Sequence, residues 1–221
     1  MTYCGEPAQP AQSIFVLIPN RTISENEARQ LAAGLTAFFK TYVVTSSLPK
    51  VDEVLSFAEL LSEKLSDERI RWATVCGIGP GASIAQALAL VDTKVIRRLI
   101  LVDATTRLAP GLRTRIIDRI ERFLPLGLPL RTSSKEFDAR PMLHRIHRPT
   151  MVVVTSQAST YVKSQCALVA RNMPTAWLSQ LSLTESGGAA IDPKGLLSSE
   201  LLSLINQFVE VPAKRPLKNA A

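Results

Sequence analysis

Five residues between a predicted strand and a predicted helix, Gly77-Ile78-Gly79-Pro80-Gly81, determine which chemistry this chain can support. The pattern G-x-S-x-G places a nucleophilic serine on a sharp strand-to-helix turn, with glycines on both sides because larger residues do not fit. Here Gly79 occupies the serine position and has no side chain. Pro80 follows it, and proline lacks the N–H that would help to bind a developing oxyanion. The turn is therefore predicted to form without its nucleophile and without this donor.

Other reactive side chains do not replace the serine in a recognisable pattern. Cys76 precedes the turn and is predicted to be a small core residue, since no histidine lies near it in sequence to activate it. His144 and His147 are predicted to lie at the surface or at the entry to a strand, because no Cys/His/Asp cluster with metal-ligand spacing accompanies them. Asp103 ends a strand, where a catalytic role is an alternative to a structural one, but no partner for that role is predicted. Ser83 is predicted to bond backbone groups. No metal and no cofactor is predicted.

The turn also fits G-x-G-x-x-A, with Gly77 and Gly79 after a strand, Ala82 opening a helix and Asp103 ending the next strand. This is the outline of a dinucleotide-binding fingerprint, in which the helix N-terminus holds a pyrophosphate. Two earlier strands precede the motif, and Pro80 removes an N–H that would face the phosphates. Dinucleotide binding is therefore kept as an alternative.

Apolar runs and helical periodicity predict an alternation of strands and helices along the chain. Strands are predicted at residues 14–18, 42–45, 72–76, 99–102, 151–154 and 176–181. Helices are predicted after the capping box of Ser24 and Glu27, and at residues 57–65, 82–90, 161–171 and 198–209. This order predicts an α/β fold with a mostly parallel, doubly wound sheet.

The order of elements resembles the α/β-hydrolase superfamily over nearly the whole chain. The similarity rests on the turn at 77–81, on the strand segment from Arg97 to Ala104, and on the segment from Phe137 to Thr150 that leads to the penultimate strand. Two parts differ from the family. The two leading antiparallel strands have no predicted place before Ile14, and the cap between Asp103 and Pro149 is short.

The resemblance also implies where the remaining catalytic groups of the family should lie. The acid should follow residues 151–154, but residues 155–162 contain no carboxylate and Ala158 is the nearest match. The histidine should follow the last strand near Gly188, but no histidine follows His147. The His-Gly of the family's oxyanion loop corresponds to Pro19-Asn20. The resemblance thus predicts an α/β-hydrolase-like protein with a degenerate site.

Composition sets limits on the compartment and class. The chain has 221 residues, 46% of them hydrophobic, which fits a single domain with a substantial core. No stretch approaches the apolar length needed to span a bilayer, and residues 1–12 lack the order of a signal peptide. The three cysteines are widely spaced and are predicted to be reduced thiols, which favours a cytoplasmic location. We predict one domain over residues 1–211, a cap-like insertion at about 105–148 and a basic tail at 212–221.

Positive charge is concentrated in the cap-like insertion. Residues 107–148 carry ten Lys/Arg and four Asp/Glu, a net charge of +6, and the tail carries +3. The rest of the chain is slightly acidic, so the net charge of the whole chain is +7. Within residues 112–130, an amphipathic basic helix is predicted; it is either the cap over a pocket or a surface for a protein partner or an anionic membrane. Its candidate contact residues are Arg113, Arg115, Ile116, Arg119, Ile120, Arg122 and Phe123. Aromatic residues do not interleave with these arginines, which disfavours nucleic acid.

The absent leading strands would leave residues 42–45 as a free sheet edge, which a partner protein or a second copy would have to cover. The leading functional hypothesis is a non-hydrolytic protein that uses the fold as a binding, scaffolding or accessory subunit. The alternative is a lyase, isomerase or cofactor-free oxygenase that keeps a pocket beside Gly79 under the cap.

Overall fold

In the computed structural model, the described residues are 2–3, 13–19, 30, 33–35, 40–46, 49–50, 53–70, 72–107, 137–156, 158–181 and 199–210. Over these residues seven strands form one sheet. The strands are β1 (Thr2–Tyr3), β2 (Ser13–Pro19), β3 (Lys40–Ser46), β4 (Ala73–Ile78), β5 (Ile96–Val102), β6 (Thr150–Val154) and β7 (Ala176–Gln180).

The sheet has the order β1-β3-β2-β4-β5-β6-β7, so β4 lies at its centre. All neighbouring pairs are parallel except β1 with β3. Parallel strands joined by helices confirm the doubly wound α/β fold. All six predicted strands are present, and β5 begins three residues before its predicted start.

The leading part of the sheet corrects one expectation. Thr2 pairs with Val43 and Tyr3 with Tyr42, so one short antiparallel strand does precede β2. The strand β3 is therefore not a free edge at these two residues. A two-residue strand has no hydrophobic alternation of its own, and its conformation comes from pairing with β3.

Across the described segments, four α-helices of at least twelve residues accompany the strands: α1 (Val54–Asp67), α2 (Pro80–Val91), α3 (Thr160–Asn172) and α4 (Ser199–Glu210). A 3-10 helix, Arg140–Arg145, precedes β6, and residues 33–35 are helical. These positions confirm the predicted helices at 57–65, 82–90, 161–171 and 198–209. Leu35, in the helical residues 33–35, packs in the same hydrophobic cluster as Leu201 and Ile205 of α4.

The two faces of the sheet bury separate cores, because alternate residues of each strand point to opposite sides. Val75, Leu101 and Val152 belong to the core that packs against α1, α2 and α3. Cys76 and Ile100 belong to the core that packs against α4. The central strands are buried on both faces and are mostly apolar, as the sequence predicted, with Thr74 and Thr150 as buried polar residues.

Within the described ranges, no helix is long and apolar enough to cross a membrane. The predicted amphipathic segment at 112–130 and the basic tail at 212–221 lie outside the described residues. The division into a domain of residues 1–211, an insertion and a tail therefore stays a prediction.

Candidate functional site at the strand-to-helix turn

Gly79 forms the turn between β4 and α2, at the carboxyl edge of the sheet. Its backbone has φ 56° and ψ −119°. An L-residue with a side chain is strained in this combination, whereas glycine adopts positive φ freely. The Gly79 N–H donates to the Val102 carbonyl at 2.8 Å, which ties the turn to the end of β5. The turn thus has the sharp form that the G-x-S-x-G pattern predicts, with glycine at its centre.

Gly77 explains why the pattern needs a glycine two residues earlier. A Cβ atom added there would lie 2.5 Å from the Gly81 oxygen, 2.6 Å from the Ala82 Cα and 2.8 Å from the Ala82 nitrogen. All three atoms belong to the backbone of the first turn of α2. A side chain at this position would therefore push the helix away from the central strand.

Pro80 is the first residue of α2, with Gly79 as the N-cap residue. Proline is common at the first position of a helix, because its fixed φ suits the helix start and the N–H at this position needs no partner within the helix. The same residue removes one backbone donor from the turn. The Ala82 N–H is directed to the Gly79 carbonyl at 3.0 Å. The helix start is thus well formed, and the position after Gly79 has no N–H to offer an oxyanion.

Asp103 follows β5 beside the turn and has a positive φ of 50°, a conformation that Asp and Asn tolerate better than most residues. Its Oδ1 accepts the Thr155 N–H at 2.9 Å, and its Oδ2 accepts the Thr155 hydroxyl at 2.7 Å. Asp103 was expected to have no partner, and this expectation is corrected. Both carboxylate oxygens join the ends of β5 and β6.

The loop after β5, residues 104–107, is fixed by side chains from α2 and α3. The Ser83 hydroxyl and the Gln86 amide both donate to the Thr105 carbonyl, each at 3.2 Å. The Thr106 hydroxyl donates to Gln165 Oε1 at 3.0 Å, and the Cys166 thiol donates to the Ala104 carbonyl at 3.3 Å. The interpretation of Ser83 as a structural residue is confirmed.

The described segments on either side of residues 108–136 meet beside this loop. Arg107 and Asp138 form an antiparallel bridge. The Arg107 Nε lies 2.8 Å from Asp138 Oδ2, and the Ala139 N–H donates to the Thr106 carbonyl at 2.8 Å. The Arg140 side chain also donates to the Thr106 hydroxyl at 3.4 Å. Main-chain and charged contacts together therefore join these two segments.

The two described cysteines are buried and free. Burial raises the pKa of the Cys76 thiol to about 12. Burial, with a smaller effect from the Asp103 charge, also raises the pKa of Cys166 to about 12. Thiols with such pKa values are protonated at neutral pH and are poor nucleophiles. The interpretation of Cys76 as a core residue is confirmed.

His144 and His147 are both exposed and precede β6. Their predicted surface position is confirmed. Among the residues that the structure describes, no group of three His, Cys, Asp or Glu side chains is arranged to hold a metal ion.

The other positions carried over from the resemblance are only partly described. Pro19 ends β2, and since Leu17 pairs with Gly77, it lies at the same edge of the sheet as Gly79. Ala158 follows β6 in a turn, packs against the first core and donates its N–H to the Thr155 carbonyl at 3.1 Å. Asn20 and Gly188 lie outside the described residues. The same holds for the candidate contact residues of the insertion: Arg113, Arg115, Ile116, Arg119, Ile120, Arg122 and Phe123.

No protein-family model and no curated protein sequence matches this chain. Solved structures do match it closely in shape. A MenH from S. aureus has a TM-score of 0.66 at 15% identity, over 94% of this chain and 97% of the other. An esterase, RhEst1, from Rhodococcus sp. ECU1013 has a TM-score of 0.65 at 16% identity, with 90% and 91% covered. The enol-lactonase from Burkholderia xenovorans LB400 has a TM-score of 0.63 at 17% identity, with 94% and 95% covered.

These similarities, with the sheet order and the turn at Gly79, show that the chain has the α/β-hydrolase fold. The matched proteins include hydrolases by their names. At identities below 20%, the likeness extends to the fold alone.

Sequence reasoning missed the pairing of Asp103 with Thr155 and the roles of Gln86 and Gln165. Gln86 lies three residues after Ser83 in a largely apolar helix, and a buried polar side chain in such a place signals a hydrogen bond. Its partner Thr105 is 19 residues away and could not be inferred from spacing.

Proposed function

We propose that this protein does not hydrolyse esters or amides and acts as a binding or accessory subunit of a larger assembly. The observation that carries the proposal is Gly79, which occupies the nucleophile position with the backbone geometry of the turn intact, φ 56° and ψ −119°. A hydrolase of this fold needs an oxygen nucleophile on that residue, and glycine has none.

The surroundings of Gly79 support the same conclusion. Pro80 has no N–H to place in an oxyanion hole, and removing one such donor costs an enzyme about 10²–10³ in kcat. The chain has two histidines, both of which precede β6, so none follows the last strand as a general base would in this fold. Residues 155–162, after β6, hold no carboxylate.

Asp103 follows Val102, whose carbonyl accepts the Gly79 N–H, and its two oxygens accept hydrogen bonds from Thr155 at 2.9 and 2.7 Å. A carboxylate that orients a catalytic histidine must accept the hydrogen bond of that imidazole. This group is already used to join two strand ends. Its placement supports a structural role for a residue that otherwise would be a candidate acid.

The basic segment that the α/β frame holds supports the accessory role. A rigid α/β frame holds the insertion of about 105–148 through the Arg107–Asp138 bridge, and that insertion carries most of the chain's excess positive charge. We propose that its basic segment, residues 112–130, contacts a protein partner. The buried free thiols Cys76 and Cys166 support a reducing compartment such as the cytoplasm.

The test is a hydrolase panel on the purified full chain. Nitrophenyl esters and anilides of graded acyl length would be assayed beside a serine-reactive fluorophosphonate probe, with an active esterase as the positive control. We expect no turnover above buffer and no covalent label. Turnover that persists through two purification schemes, or stoichiometric labelling, would overturn the proposal.

A further inference from the structure

At the amino edge of the sheet, opposite Gly79, an exposed tryptophan carries a stacked arginine. Trp72 directly precedes β4 and is 60% exposed. The Arg97 guanidinium carbon lies 5.0 Å from the centroid of the Trp72 ring. An exposed indole offers a large apolar area that a partner can cover. Trp72 and Gly79 lie at opposite ends of the same strand, so this surface is separate from the turn.

The position of Arg97 depends on an irregularity in the sheet. Ala73 pairs with Ile96 and Thr74 pairs with Arg98, so Arg97 is an extra residue with no partner in β4. Such a β-bulge bends the strand and redirects a side chain. Here the redirected side chain lies over Trp72. In regular pairing, Arg97 would lie opposite a residue of β4. The bulge therefore determines that the Arg97 side chain lies over Trp72.

Two further cations lie at the same edge of the sheet as the stacked pair. Lys94 lies in the turn before β5 and is exposed, and Arg148 lies before β6 with its carbonyl accepting the hydroxyls of Thr150 and Thr175. Acidic residues lie near this edge as well: Asp67 and Glu68 are exposed at the end of α1, and two residues before Lys94 comes Asp92. Its carboxylate is largely buried and accepts the Ser62 hydroxyl and the N–H groups of residues 94 and 95.

We propose that Trp72, Lys94, Arg97 and Arg148 form a docking surface for an acidic segment of a partner protein. Tryptophan and arginine are the residues most enriched at the centres of protein interfaces. The charge complementarity requires acidic residues on the partner. A second copy of this chain fits poorly, because the chain carries +7 and like charges repel.

Other anionic partners fit this surface less well. Single-stranded nucleic acid needs successive aromatic platforms, and here one indole already has a guanidinium against it. Membrane docking needs an apolar helix face that enters the lipid, whereas the described surface here offers one exposed indole beside a guanidinium. The inference names a partner class for the proposed accessory role and rests on that role, yet the two are tested separately, by binding and by turnover.

The test uses the fluorescence of Trp72 in a full-chain Trp177→Phe background, because Trp177 packs edge-on against Phe208 and would add a second signal. A panel of twelve-residue peptides, each with several Asp and Glu residues around one Leu or Phe, would be titrated in turn. Controls are the same panel with Asn and Gln in place of the acids, a thymidine oligonucleotide and phosphatidylglycerol vesicles.

We expect at least one acidic peptide to bind and to change the Trp72 emission, while its amide counterpart does not bind. Arg97→Gln should weaken that affinity about 10- to 30-fold, as expected for a residue at the centre of an interface. Lys163→Gln is the matched control: it removes the same charge from an exposed residue in the first turn of α3, near the opposite edge of the sheet, and should change affinity less than twofold.

Three results would overturn the proposal. No acidic peptide binds at millimolar concentration; or Arg97→Gln and Lys163→Gln weaken binding equally, which indicates nonspecific attraction; or the oligonucleotide or the vesicles bind more tightly through Arg97 than any peptide does. Hydrolytic turnover in the panel described above, with peptide binding intact, would instead overturn the proposed function and leave the docking surface standing.

Discussion

The two glycines of the turn should differ in how much they contribute to stability, and the structure predicts the order. Gly77→Ala places a Cβ 2.6 Å from the Ala82 Cα, and ordinary contacts begin at 3.4 Å. The start of α2 must therefore retreat by about 0.8 Å, the difference of these two distances. Overpacking of this kind costs about 3 kcal/mol, or more when the blocking atoms are backbone. The shift would also stretch the 3.2 Å bonds from Ser83 and Gln86 to Thr105.

Gly79→Ala meets a different penalty. Alanine must adopt φ 56° and ψ −119°, a conformation that costs a residue with a side chain about 1–3 kcal/mol. Gly34→Ala serves as the control, because Gly34 is helical and the nearest atom to its added Cβ is the flexible end of Leu202, at 2.9 Å. A gain in helix propensity of about 1 kcal/mol offsets that contact.

Urea titration followed by circular dichroism gives the three free energies of unfolding, and thermal melts give a second estimate. For a chain of this size, a loss of 1 kcal/mol lowers Tm by about 2–4 °C. We therefore expect Gly77→Ala to lower Tm by about 6–12 °C, Gly79→Ala by less, and Gly34→Ala by about 4 °C at most. Equal effects of Gly77→Ala and Gly34→Ala would refute the argument that the backbone of α2 blocks a side chain at residue 77.

Three further outcomes are expected. Gly79→Ser should fold and remain without esterase activity, because Pro80 and the missing base are unchanged; turnover above buffer in this variant would contradict the proposed function. Asp103→Ala should lose about 2–4 kcal/mol of unfolding free energy, from two hydrogen bonds and a positive φ, whereas Asp103→Asn should retain most of it; equal losses would argue against this account of Asp103. In a Cys4→Ser background, Cys76 and Cys166 should not react with Ellman's reagent at pH 8 until urea unfolds the chain. Their folded pKa values of about 12 exceed the ordinary 9.0, so the neutral thiols stabilise the fold below pH 9 and this contribution is lost as pH rises towards 12. Rapid labelling of the native protein would refute that burial.

The central strands could be predicted because their burial on both faces is visible in the sequence as continuous apolar runs. The runs in β4, β5 and β6 are buried on both faces, and continuous apolar stretches between turn residues indicate that arrangement. The early start of β5 was missed because Arg97 and Arg98 interrupt the apolar run. Arg97 is accommodated by the bulge in β5, and the Arg98 side chain is buried, with only 7% of its surface exposed.

The contacts of the site were less predictable than its elements. Asp103 and Thr155 are 52 residues apart and meet because β5 and β6 are parallel neighbours whose ends coincide. The resemblance to a fold family gave the position of the turn, but the partners of each side chain depend on register. Thr2–Tyr3 could not be predicted for a related reason, since its conformation depends on its pairing with β3.

The turn has a structural role that does not depend on a nucleophilic serine at position 79. Gly77 permits α2 to approach the central strand, the Gly79 N–H binds the end of β5, and α2 then carries Ser83 and Gln86 to the Thr105 carbonyl. The turn thus fixes the loop from which the insertion leaves the sheet. Glycine at position 79 removes the conformational strain that serine would add there. If the proposed loss of catalysis is correct, the turn is retained because it positions that insertion.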